Sequence, residues 1–128
     1  MQSPTPLDRD SQISFSRFFH VEALRGGMNR LLLRAIPTKN EPTRVEVFFQ
    51  YVKHLDIPLE FNGLVVSDVS KDEGESARHQ DLLSRFPEIR VYRLESGGKI
   101  VGRIVASACV FGEDSEPAGG ESMFPMMS

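Results

Sequence analysis

Apolar and polar residues alternate along much of the chain. From Ser14 onwards Phe15, Arg17, Phe19, Val21 and Ala23 share one face, with Ser16, Phe18, His20, Glu22 and Leu24 on the other. That is the two-residue period of a strand. Phe15, Phe18, Phe19 and Glu22 also fall at helical spacing, and Met28 to Ala35 contains good helix formers. The local pattern leaves both forms open, and the surroundings favour strands. Gly26-Gly27 readily supplies the positive φ of a tight hairpin, whereas two helices joined by two residues would be unusually close. Residues 15–25 and 28–36 are therefore expected to be strands.

Further along, RVEVFFQYV (44–52) puts Val45, Val47, Phe49 and Tyr51 on one face, with β-branched and aromatic residues throughout. Pro37 and Pro42 make its approach a loop. LEFNGLVVSDV after Pro58 reads as a strand with Asn62-Gly63 as a turn or bulge inside it. EIRVYRLES and GKIVGRIVASACVF form a hairpin through Gly97-Gly98, and the second of them is apolar on both faces, as a covered central strand is. Between these strands, EGESARHQDLLSRF (73–86) places His79, Leu82, Leu83 and Phe86 on one helical face. Asp72 and Glu75 resemble a capping box, and Pro87 ends the helix.

The expected architecture is an α+β domain: a mostly antiparallel sheet of about six strands with one helix packed on it. Residues 1–13 read as a flexible lead, 14–111 as a single domain, and 112–128 as an acidic, Met-rich tail, disordered or extended.

With 128 residues the chain is long enough for a core without a metal or disulfide, and its single cysteine, Cys109, suits a reducing compartment. The first ten residues lack a signal pattern, and no apolar run approaches the roughly 20 residues of a membrane helix. The expectation is a cytoplasmic protein. Of the net charge of −3, the tail supplies Glu113, Asp114, Glu116 and Glu121 without a basic residue. Residues 1–111 then carry 15 basic against 14 acidic side chains, and so near-neutral a body argues against a nucleic-acid binder.

The candidate chemistry is sparse. His20, His54 and His79 show none of the local pairings of a zinc site. Cys109 lies in the most apolar strand, where a thiol is inert. The acidic loop around Asp68 lacks the Gly and Glu positions of a calcium loop: Glu73 and His79 stand there instead. No phosphate-cradling loop, catalytic residue, metal or cofactor is assigned. Phe48, Phe49 and Tyr51 read as sheet core in preference to a base-stacking platform. The strongest acidic patch of the folded part is Asp68, Asp72, Glu73 and Glu75, partly offset by Lys71.

Phe19-His20-Val21-Glu22, Leu31-Leu32-Leu33, Val45-Glu46-Val47-Phe48-Phe49 and the hairpin around Gly97-Gly98 make residues 18–111 resemble the small immunity proteins of bacterial contact-dependent and polymorphic toxin systems, and related families. Val21 stands where an acidic residue is common, so no role passes to His20. The resemblance implies a non-enzymatic cytoplasmic inhibitor that binds one toxin domain and covers its active surface. On this reading Asp68, Asp72, Glu73 and Glu75 steer a basic partner protein. Two alternatives remain: an accessory or assembly factor docking through the tail that ends MFPMMS, and a small ligand-binding domain or enzyme with a pocket between helix and sheet.

Overall fold

The computed structural model describes residues 2–26 and 29–124. Its strands are β1 (Gln2–Pro6), β2 (Gln12–Arg25), β3 (Arg30–Ala35), β4 (Arg44–Gln50), β5 (His54–Asp56), β6 (Glu60–Asp68), β7 (Arg90–Ser96), β8 (Lys99–Ala106) and β9 (Ala108–Asp114). Two short helices, α1 (Glu73–Ala77) and α2 (Gln80–Arg85), lie between β6 and β7. The strands form one antiparallel sheet in the order β1-β9-β4-β3-β2-β6-β7-β8-β5.

β8 and β9 sit far apart in that order, yet only Ser107 separates them in the chain. Residues 99–114 are one long strand bent at Ser107, its first half bonded to β7 and its second to β4. The ladders β2–β3, β3–β4, β4–β9, β8–β7, β7–β6 and β6–β2 therefore form a ring, and the sheet closes on itself as a six-stranded barrel. The rings of Phe15 on β2 and Phe111 on β9, three ladders apart by either route around the ring, meet across the interior at 6.1 Å.

The six barrel strands are the six read from the sequence. β1 and β5 are additional. β5 continues β4 along the same margin of the long strand after a bulge at Tyr51 (φ 52), and the junction is bonded from Ser107 N–H to the Gln50 carbonyl and from Lys53 N–H to the Val105 carbonyl. The bulge takes Tyr51 out of the face that holds Val45, Val47 and Phe49 and leaves it exposed. β1 pairs with β9, so the expected flexible lead is in part an edge strand; Pro4 and Pro6 are compatible with that place because an edge leaves some N–H groups without ladder partners. The hairpin expected at Gly26-Gly27 joins paired strands, Arg25 lying opposite Arg30, although Gly27 itself lies outside the described residues. Gly97 and Gly98, at φ 60 and 78, make the tight turn between β7 and β8. Gly63 (φ 79) stays within β6, beside the stretch where the β2 register shifts between Phe15 and Phe18.

Inside the barrel, Phe19, Leu31, Leu33, Val47, Phe49, Phe61, Leu64, Val66, Leu94 and Ile104 are buried, each full burial of such a side chain contributing about 1.5–3 kcal/mol. Two smaller clusters lie outside it. Leu82, Leu83 and Phe86 of the helical segment pack on Ile89, Val91 and Val105. The expected single helix is broken at His79 (φ −127), in a segment holding Gly74, Ser76 and Ser84, too short and too rich in weak helix formers to stay continuous. The molecule is thus mostly β: the expected antiparallel sheet is present with nine strands where about six were expected, and two short helices stand where one helix was expected.

The second outer cluster comes from the tail. Residues 118–124 run across the outer face of β3 and β4, and Phe124 stacks on Phe48 at 5.0 Å. Composition argued for disorder here; the contacts that hold the segment go mainly to its backbone, which composition does not report. The terminal Met126 and Met127 lie outside the described residues.

Candidate partner-binding surface

The acidic loop predicted from sequence is brought together at the β6–α1 junction, but its four carboxylates have different surroundings. Asp68 ends β6 with its carboxylate buried. It accepts hydrogen bonds from Ser70 N–H (3.0 Å), Ser70 Oγ (2.6 Å) and Arg90 Nε (2.9 Å). Burial by itself would raise its pKa, and these bonds with the Arg90 charge reverse the effect and hold it below the usual value. Glu75 is also buried, accepting from Arg103 Nε at 2.8 and 3.1 Å, with Arg78 at 3.7 Å. Asp72 caps α1 by accepting from Glu75 N–H at 3.0 Å, as the sequence indicated. Asp72 and Glu73 face solvent.

Two of the four charges are therefore matched within the fold, and two point outward. Lys71 pairs with Asp10 at 3.1 Å, which moves its charge toward the β1–β2 connection. The outward field of this loop comes from Asp72 and Glu73.

Exposed apolar side chains add a second feature, which sequence reading missed. Phe18 is 52% exposed and Leu59 is 74% exposed, both along the β2–β6 ladder, where Phe18 lies opposite Asn62 and the Leu59 carbonyl accepts from Val21 N–H. The available signal was the position of Phe18 among Ser16, His20 and Glu22 on the polar face of its strand. Large apolar groups on rigid strands lose little entropy on docking.

The remaining candidates have structural surroundings. His20 Nε2 meets Glu22 Oε1 at 2.7 Å. His54 and His79 lie with ring centroids 5.0 Å apart, and among the described residues no group of three or more His, Cys, Asp or Glu is arranged to hold a metal. Burial, followed by the charge of Asp68, pushes the Cys109 thiol well above its ordinary pKa, so it is a poor nucleophile. Phe48 and Phe49 are buried and present no stacking platform. Among the described residues no helix is long and apolar enough to cross a membrane. No protein-family model, curated protein or solved structure matches this chain.

Proposed function

We propose that this chain is a non-enzymatic protein-binding domain, most concretely an immunity-type inhibitor that covers the active surface of one partner. The observation that carries the reading is the exposure of Phe18 and Leu59 on the barrel wall. Apolar anchors of this size supply most of the binding energy when a partner buries them. Asp72 and Glu73 serve as steering charges for a basic partner, while Asp68 and Glu75 hold the loop in shape through Arg90 and Arg103. The resemblance of residues 18–111 to immunity proteins supplies the partner class, a toxin domain.

The test is to mix the purified chain with the product of the adjacent gene and follow association, dissociation and that product's activity. Binding with suppressed activity is expected. Reversing both charges (Asp72→Lys with Glu73→Lys) slows association, and Phe18→Ala with Leu59→Ala speeds dissociation. A partner that neither binds nor loses activity contradicts the proposal; unchanged rates in the variants remove the assigned residues.

A further inference from the structure

We infer that the outer face of β3 and β4 is a docking groove for an extended peptide segment of a partner protein, and that residues 118–124 fill it as a displaceable strap. The strap displays the recognition chemistry. Arg34 Nη1 donates to the Ala118 carbonyl at 3.0 Å, and Arg44 donates to the carbonyls of Gly120 (3.0 Å) and Glu121 (2.8 Å). Glu46 Oε1 accepts from Met123 N–H at 2.8 Å and from Ser122 Oγ at 2.9 Å. The Ser122 hydroxyl, the Phe124 ring and the Met123 side chain, which lies over Gly112 beside the Phe48 cluster, are read as side chains; three carbonyls and one amide are read as backbone. Main-chain recognition of this kind accepts many sequences.

Two observations make the strap displaceable. Its closure completes the burial of Arg44 and Glu46, both 0% exposed, and of Arg34 at 4%. Removing charges from water offsets much of what their pairing contributes, so the closed form gains little. The strap also underfills its groove. Crevices of about 300 Å³ and 490 Å³ lie along it, the first against Leu32 and Arg34, the second against Arg44 and Asp114. Gly119 is exposed and lines the first crevice, and a Cβ there would meet nothing within 4 Å. A partner segment whose side chain at that place reaches into the crevice, with a hydroxyl three residues later, an unbranched apolar side chain next to it and an aromatic ring one beyond, fits better than the strap does. The inference concerns a different face from the inhibitor proposal and does not rest on it.

The probe is a labelled peptide of residues 115–124 added to the full-length chain. Phe124→Ala removes the ring contact and weakens the strap's hold, so this variant binds the peptide at least tenfold more tightly than the wild-type chain, whose tethered strap competes at millimolar effective concentration. The same peptide carrying Gly119→Leu binds more tightly still. A folded Phe124→Ala chain that binds no better than wild type overturns the groove. A Leu peptide weaker than its parent overturns the partner assignment in favour of a second copy of this chain. Should the variant not fold, hydrogen exchange on the wild type decides: the Met123 and Phe124 amides exchange at least a hundredfold faster than those of β3 and β4 if the strap opens, and equal protection refutes it.

Discussion

Glu46→Ala removes the anion at the centre of the outer ionic cluster. Its Oε2 accepts from Arg34 Nε (2.8 Å) and pairs with Arg34 Nη2 (2.7 Å), and its Oε1 holds the strap and faces Arg44 Nη2 at 3.8 Å. Deleting one partner of a buried pair costs about 3–5 kcal/mol, because the other charge stays buried without compensation. Arg44 keeps a two-pronged contact with Asp114, at 3.0 and 2.7 Å. Arg34 keeps the neutral Ala118 carbonyl at 3.0 Å and, for charge, Glu22 at 3.4 Å, a carboxylate that is 35% exposed. One guanidinium is stranded, not two, which sets the expected loss near the lower end, about 3 kcal/mol. Unfolding entropy of about 2.1 cal/mol/K per residue converts this into a fall in Tm of about 11 °C for a chain of this length. Calorimetry and urea melts measure both quantities. Adding Arg34→Ala to Glu46→Ala should recover part of the loss, since the stranded charge disappears, giving a coupling of about 1 kcal/mol or more. A single-variant loss below about 1 kcal/mol would refute the claim that the strap seals this cluster from water.

Two more outcomes follow from the packing. A Cβ on Gly102 would overlap the Asp56 carbonyl oxygen and stand 3.0 Å from the Asp56 carbon and from Ile57 Cα; Gly102→Ala should therefore detach β5 from β8 and lower stability by about 2–4 kcal/mol in a urea melt, and a change within about 0.5 kcal/mol would contradict the close approach. Burial, then His54, with smaller effects from Arg103 and Arg78, lowers the His79 pKa below 6.5 against the opposing pull of Glu75. The unfolded chain thus takes up the proton first, so stability should fall as pH drops below about 6.5, and His79→Gln should flatten that slope; equal slopes would contradict the assignment.

Much of the barrel was legible because period-two alternation is strong where one face is buried. Val45, Val47 and Phe49 point inward as read, and Gly97-Gly98 turns the chain where its residue types demand. β5 escaped notice because His54-Leu55-Asp56 is too short to show a period. β1 was hidden by prolines that an edge strand accepts. The acidic loop was correctly located as a cluster, but sequence order says nothing about Arg90 and Arg103, which reach Asp68 and Glu75 from β7 and β8 and match their charge. Glu46 and Arg44 alternate like solvent-facing residues, and their burial depends on a strap some 70 residues away in the chain. Exposure of Phe18 and Leu59 is likewise a property of the assembled wall.

The closed ring of ladders positions every surface discussed above, and one spectroscopic contact tests it. Three ladders at about 4.8 Å each would hold β2 and β9 roughly 14 Å apart in an open sheet, whereas closure brings the Phe15 and Phe111 rings to 6.1 Å. Ring-to-ring nuclear Overhauser contacts between Phe15 and Phe111 in a selectively labelled chain are the predicted result. Their absence from a chain whose β3–β4 and β6–β7 ladders are intact would contradict the barrel.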